Sequence, residues 1–273
     1  MNSLSDERES DLLPAERRDH LIAWFRENAA ASSQELARRF NTSISTIRRD
    51  LDRLAAEGIV RRTHGGAVRV RNRATDEMST DVARRTAVEE RAAIVSAAMT
   101  LISNEDSILI DTGATPHAMA TEIAQSGLSL TIVTNDLFVA STLSYKAGIR
   151  LIVPGGSVRF GSYTLTGEPG SDFLSGIYCD RYFMAPHAID LSVISDTTLE
   201  VAQLRAKMMS AARETVCLAD SSRLSARALY RIASVDQVSQ VITDDNLSAD
   251  ERDRFEQAGI KLTVAETFRT PDP

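Results

Sequence analysis

Apolar residues recur at two different spacings along the chain, and the change of spacing divides it. In the first seventy or so residues the spacing is helical. Leu21, Ile22, Trp24 and Phe25 predict a helix that opens at Pro14, whose missing N–H costs nothing in a first turn, and runs to about Asn28. Ser32 with Glu35 three residues on is a capping-box signature, and Leu36, Ala37 and Phe40 form the buried stripe of a short second helix. Asn41, Thr42 and Ser43 read as a turn, with Ser43 capping a third helix that runs to Glu57 and stops at Gly58. On that helix Ile44, Ile47, Leu51, Leu54 and Ala55 share one arc. Arg49 and Arg53 lie nearly opposite, Arg48 sits at the border, and Ser45, Thr46 and Asp52 flank the polar side. Two β-prone runs, 59–64 and 67–70, then flank Gly65-Gly66 and predict a hairpin. Three helices with short polar turns followed by a hairpin make a winged helix-turn-helix.

From Arg69 to about Met78 no apolar pattern is visible, which reads as a linker. Residues 87–102 predict a helix with Ile94, Val95, Ala98, Leu101 and Ile102 on one face. Beyond it, short apolar runs at 107–111, 130–134, 150–154, 182–185, 215–219, 240–243 and 261–264 read as strands. Helical patterns at 114–125, 137–147 and 198–213 lie among them. Alternation of this kind predicts an α/β body, a mainly parallel sheet covered by helices on both faces. The expected organisation is a disordered tail at 1–13, a winged helix-turn-helix domain at 14–70, a linker at 71–86, an α/β domain at 87–265 and a tail at 266–273.

Charge sharpens that division. The whole chain carries 31 basic and 38 acidic residues, a net −7 that argues at face value against nucleic acid. Residues 14–73, however, hold 13 arginines against 7 acids, a net +6, while residues 74–273 hold 17 basic and 27 acidic groups, a net −10. A basic head on an acidic body points to a nucleic-acid-binding module. The apolar stretches are far shorter than the roughly 20 residues a membrane-crossing helix needs, and the polar start lacks a signal-peptide pattern. A cytoplasmic protein is expected. Cys179 and Cys217 sit in apolar runs without metal-ligand spacing and read as reduced, buried thiols, with no metal or cofactor implied.

The chemistry follows from position. On the third helix, arginines can donate two hydrogen bonds to a guanine edge, and Ser45 and Thr46 can meet bases or phosphates near the helix N-terminus. Along the hairpin, Arg61, Arg62 and His64 are placed for phosphate contact. The expected DNA-binding residues are therefore Ser45, Thr46, Arg48, Arg49, Arg53, Arg61, Arg62 and His64. In the body, ligands settle at the carboxyl ends of parallel strands. Asp111, Thr112, Gly113, Ala114 and Thr115 follow the first strand and lead into a helix N-terminus, a plausible phosphate cradle. Thr134 and Asn135 end the second strand, Gly155 and Gly156 follow the third, and Arg223 brings a fixed positive charge after a later one. These ten residues form the expected effector-binding set, and no catalytic residue is assigned.

Thr46-Ile-Arg-Arg-Asp-Leu51 and Arg62-Thr-His-Gly-Gly-Ala67 resemble the two hallmarks of the DeoR family of bacterial transcriptional regulators, at the expected separation. The likeness continues to about Asp244, through Asp111-Thr-Gly-Ala-Thr115, Val133-Thr-Asn135, Gly155-Gly156, Asp220-Ser-Ser-Arg223 and Ile242-Thr-Asp244. Pro116 and the block 133–143 are most like the glycerol-3-phosphate repressor branch. The resemblance implies a Rossmann-like sensor domain similar in fold to sugar-phosphate isomerases. It also implies an effector that is a phosphorylated sugar or polyol, held through its phosphate by the first loop. Three departures stand out. Ala114 replaces the usual Thr and loses a hydroxyl. Arg223 replaces Lys, keeping the charge and adding a fork for bidentate binding. Residues 185–190 replace a glycine-rich stretch, where His187 either fills space or reshapes the pocket.

The expected function is a repressor of a carbohydrate or polyol utilisation operon, a homo-oligomer (dimer or tetramer) on double-stranded operator DNA that is released by its effector. The alternative is a sugar-phosphate isomerase or deaminase with an appended DNA-binding module. That chemistry needs a positioned general base, usually a carboxylate. Asp111, Glu168 and Asp190 are available for it, but no paired constellation is legible. A nucleoid-type DNA binder without an effector is the third possibility, and it would show weak sequence preference and no ligand-dependent melting shift.

Overall fold

A computed structural model describes residues 13–28, 30–56, 60–69, 80–84 and 87–267. The expectations for Gly58 and for most of the linker and both tails lie outside those residues. The chain divides into two compact units.

The first unit contains α1 (Pro14–Glu27), β1 (Ala30–Ser32), α2 (Ser33–Arg39), α3 (Ile44–Ala56), β2 (Val60–Thr63) and β3 (Gly66–Arg69). Leu21, Phe25, Leu36, Ile47, Leu51, Leu54 and Val60 close one apolar core. Both expected caps form: the Ser32 hydroxyl accepts from the Glu35 amide at 3.1 Å, and the Ser43 hydroxyl from that of Thr46 at 3.1 Å. Ile44 departs from the expected buried arc. It stands in the first turn of α3, 40% exposed. The hairpin also differs: Thr63 pairs with Gly66, so the two-residue turn is His64-Gly65 and Gly66 belongs to a strand. A third strand, β1, pairs with β3 in the order β1-β3-β2. Its proximity explains Gly66, where a Cβ would come within 1.9 Å of the Ala31 carbonyl oxygen.

The second unit opens with α4 (Thr80–Ala83), a short helix inside the expected linker, and α5 (Val88–Met99). There follow β4 (Ser107–Ile110), α6 (Ala114–Ser126), β5 (Leu130–Thr134), α7 (Leu137–Leu143) and β6 (Ile149–Ile152). The middle of the unit holds β7 (Ser157–Val158), β8 (Leu165–Thr166), α8 (Gly170–Phe173), β9 (Cys179–Met184), β10 (Ala188–Ile189), β11 (Val193–Asp196) and α9 (Leu199–Ser210). The last elements are β12 (Ala212–Leu218), β13 (Tyr230–Ser234), β14 (Gln240–Asp244), α10 (Ala249–Gln257) and β15 (Leu262–Ala265).

Seven strands form one parallel sheet in the order β15-β14-β12-β9-β4-β5-β6. Two separate apolar cores, one including Ile94, Met119 and Val139, the other Leu204, Met208 and Phe255, match a sheet covered on both faces. The order reverses at β4, which sends the chain to β5 on one side and is flanked by β9 on the other. A crevice at the carboxyl ends of the strands is therefore expected beside β4. Three short antiparallel strands, β10, β11 and β13, form a further sheet that hydropathy did not announce. Cys179 and Cys217 are both free and buried, and burial pushes the Cys179 thiol up to about 11.

Candidate functional site

The polar side of α3 is built for display. Ser45, Arg48, Arg49 and Arg53 are exposed, and Thr46 is half-buried. The Ser43 hydroxyl lies 2.8 Å from both the Ser45 and Thr46 hydroxyls, a small cluster at the start of the helix. Two acids on the same helix would repel a phosphodiester backbone, and each has an internal cation. Asp50 is buried against Arg17 at 2.6 Å, and Asp52 meets Arg62 at 2.8 Å. Arg62 also donates to the Gly66 carbonyl at 2.7 Å, so it ties the hairpin to α3. Arg61 is half-buried along β2, and His64 is exposed at the tip of the turn. Asp50 with Arg17, and the Asp52 partner of Arg62, were missed in the sequence because ion pairs across 33 or ten positions leave no periodic trace.

In the second unit the ten expected residues lie at the carboxyl edge of the sheet, after β4, β5, β6 and β12, and their duties differ. Asp111 is fully buried; its Oδ2 accepts from the Ala185 amide at 2.8 Å and from Arg205 Nε at 2.8 Å. Burial raises this carboxyl above the ordinary range, while Arg205 and the Ala185 amide pull it back. Arg205, on α9, also binds Asp196 through Nη1, and sits between two carboxylates that offset its own burial. Asp111 therefore ties the end of β4 to α9 and to the residue that follows β9.

Thr112 turns its hydroxyl into the protein, onto Asp136 Oδ2 at 2.6 Å and the Thr164 hydroxyl at 2.7 Å. Asp136 caps α7, accepting from the Phe138 and Val139 amides at 2.8 and 3.0 Å, and hydrogen-bonds His117 Nε2 at 2.9 Å. Burial alone would raise the Asp136 carboxyl, but the His117, Thr112 and Val139 contacts outweigh it and hold it below the ordinary range. The His117 ring stacks on Phe138 with centroids 4.3 Å apart, and Tyr163 packs against it edge-on.

Gly113 takes φ +120°, which favours glycine, and opens α6 with no side-chain cap and no acid in the first turn. Ala114 and Thr115 are half-buried there. The helix N-terminus thus presents main-chain N–H groups and positive potential at the carboxyl edge of the sheet. Arg223 is 25% exposed and held by Asp220 at 3.2 Å and by the carbonyls of Pro186 and His187 at 3.3 and 3.4 Å. The stretch 185–190 thereby serves as a backbone rest for Arg223. Arg91, on α5, is close enough for charge interaction with Asp220, Arg223 and Arg84; burial lowers its guanidinium to about 10, with Asp220 opposing and Arg223 adding to the fall.

Thr134 is wholly buried and its hydroxyl accepts from the Asp136 amide at 3.2 Å. Asn135 and Gly155 line a small cavity with Leu165, Leu204 and Met208, and the buried Asn135 Oδ1 has no hydrogen-bond partner among the described residues. Gly156 serves packing: a Cβ there would come within 2.7 Å of the Thr166 carbonyl. His117, Asp136, Arg205, Arg91 and Arg84 escaped the sequence reading. Arg205 and Arg91 come from helices far from any quoted motif, whereas His117, one residue past Pro116, and Asp136, directly after Asn135 in the block 133–143, lay beside or within quoted motifs without being assigned a role.

The chain matches the DeoR-like helix-turn-helix domain over residues 17–73 and the DeoR C terminal sensor domain over residues 86–245. It is 29% identical to the HTH-type transcriptional regulator GolR of Listeria innocua over 93% of this chain and 100% of that one. It is 31% identical to the glycerol-3-phosphate regulon repressor of Escherichia coli K12, over 84% of this chain and 90% of that one. Among solved structures it is similar to ribose 5-phosphate isomerase A of Methanocaldococcus jannaschii, at 14% identity and a TM-score of 0.37, over 49% of this chain and 53% of that one.

Proposed function

We start from the fact that the chain belongs to the DeoR family of DNA-binding transcriptional regulators, and propose that it represses a carbohydrate or polyol utilisation operon until a phosphorylated sugar or polyol binds its second unit. The observation that carries the effector reading is the uncapped N-terminus of α6, which opens on Gly113 at the point where the strand order reverses. Arg223 and Arg91 supply fixed charge for a phosphate there. Asn135, with its unsatisfied buried oxygen, is the donor-seeking group for a ligand hydroxyl. The name of the Escherichia coli relative, a glycerol-3-phosphate regulon repressor, supports the same ligand class.

On the DNA side, Arg49 and Arg53 of α3 read base edges, with Ser45, Thr46 and Arg48 beside them, while Arg61, Arg62 and His64 hold the hairpin to the backbone. One recognition helix reads only a few base pairs, so operator binding requires a homo-oligomer, a dimer or a tetramer, with half-sites a helical turn or a multiple of it apart. Among the described residues no helix is long and apolar enough to cross a membrane, and a cytoplasmic setting suits a DNA-bound regulator.

The sensor binds its ligand without turning it over. Each carboxylate available to an isomerase has internal work: Asp111 holds Arg205, Glu168 accepts from the Asp172 amide at 2.8 Å, and Asp190 accepts from Ser192, Val193 and Arg227. Thermal-shift titration with a panel of sugar and polyol phosphates, each beside its unphosphorylated form, tests the effector class. Stabilisation only by phosphorylated members is expected, and equal stabilisation by both forms would remove the phosphate cradle from the account. Incubation with ribose 5-phosphate or glucosamine 6-phosphate is expected to leave both unchanged; measurable turnover would restore the enzyme reading.

A further inference from the structure

Residues 80–84 are the first described residues that follow the DNA-binding unit in the chain, and two arginines fasten them at the effector edge. Arg91 donates from Nη2 to the Ala83 carbonyl at 2.7 Å and from Nη1 to the Arg84 carbonyl at 3.2 Å. The Arg84 guanidinium lies 4.0 Å from the centre of the Phe138 ring. Phe138 in turn stacks on His117, which hydrogen-bonds Asp136, the carboxylate that also accepts the Thr112 hydroxyl beside Gly113. An unbroken set of contacts thus joins the end of α4 to the start of α6. Burial is the main cause that lowers the Arg91 guanidinium; Arg223 and Arg84 add to it as like charges while Asp220 and Glu90 oppose them, and cations gathered at a partly dry site favour an anion among them. A phosphate offers a guanidinium two ionised acceptors in a bidentate geometry, which a single backbone carbonyl does not.

We propose that a phosphate-type dianion at the N-terminus of α6 competes with the Ala83 and Arg84 carbonyls for Arg91, so that ligand binding undocks residues 80–84. The inference rests on the effector-site reading above and adds the step by which occupancy reaches the chain leading to the DNA-binding unit. By reciprocity, a protein whose 80–84 segment is already loosened binds the anion more tightly.

Hydrogen–deuterium exchange on the full chain, with inorganic phosphate against chloride at equal ionic strength, reads both ends at once. Phosphate is expected to protect the first turn of α6 and to speed exchange across 80–84. Phe138→Leu, which removes the ring under Arg84 and leaves every charge in place, is expected to lose protection at 80–84 without phosphate and to reach half-protection of α6 at a lower phosphate concentration. Protection of α6 with unchanged exchange at 80–84 would overturn the coupling and leave the site standing. No phosphate effect at α6 in either protein would overturn the site reading, and the coupling with it.

Discussion

Arg205 stands between Asp111 and Asp196 with almost no water around it. Such a triad adds little net stability, because desolvating three charges offsets their attraction, but removing its centre strands two buried carboxylates. Arg205→Ala is expected to destabilise the second unit by about 3–5 kcal/mol, read as a lower urea midpoint with an unchanged slope. Arg49 presents the opposite case: it is exposed on α3, and its proposed role is on DNA alone. Arg49→Ala should lose about 1–3 kcal/mol of discrimination at one base position and little affinity for random DNA. Competition binding against operator and random fragments checks this, and equal losses on both would reassign Arg49 to the backbone. At this scale the sequence was legible where side chains face outward, as with Arg48, Arg49 and Arg53, since a helical projection finds them. It was silent on Arg205, whose partners lie in other elements, and on the contacts of Asp136 with Thr112 and His117.

The elements were more legible than their pairings. The strands at 107–110, 130–134 and 240–244 and the helices at 14–27 and 114–126 follow the apolar spacing closely. By contrast, β10, β11 and β13 are short and irregular, with a register shift between Ile194 and Ser195, and leave no alternation to read. Strand β1 went unseen because only its contact with β3 makes it a strand. That contact carries a prediction: Gly66→Ala would drive a methyl into the Ala31 carbonyl. A clash with backbone cannot be relieved by a rotamer, so destabilisation of about 1–3 kcal/mol or more is expected in the first unit. Melting followed by Trp24 fluorescence, with operator affinity alongside, measures it. The cap of α7 carries another prediction. The Asp136 carboxyl is held below its unfolded value, so its stabilisation is complete above about pH 3.9 and is lost as pH falls through the lower folded value. Asp136→Asn should flatten that acid limb of the urea midpoint against pH; an unchanged limb would show that Asp136 is not held ionised in the fold.

Across the whole molecule, the acidic average of −7 hides a division of labour. The basic head draws DNA phosphates, and the affinity should fall as salt rises, with a slope of about −0.9 per phosphate neutralised. The acidic body limits indiscriminate adhesion, and in the proposed reading anion recognition falls to a few focused donors at Gly113, Arg91 and Arg223. Recognition of DNA and of the effector therefore uses opposite strategies, broad charge in one unit and local donors in the other. The two must be linked by a difference in ligand affinity between DNA-competent and incompetent states, since a ligand with equal affinity for both shifts nothing. A coupling of about 1–3 kcal/mol, or roughly 5–150-fold in affinity, is typical of such linkage. Fluorescence anisotropy on an operator fragment recovered by selection from random DNA tests the account most directly, titrated with each phosphorylated sugar or polyol that shifts the melting temperature. At least one bound phosphate ester is expected to weaken operator affinity within that range while its unphosphorylated counterpart leaves it unchanged. Operator affinity unmoved by every ligand that demonstrably binds would contradict it.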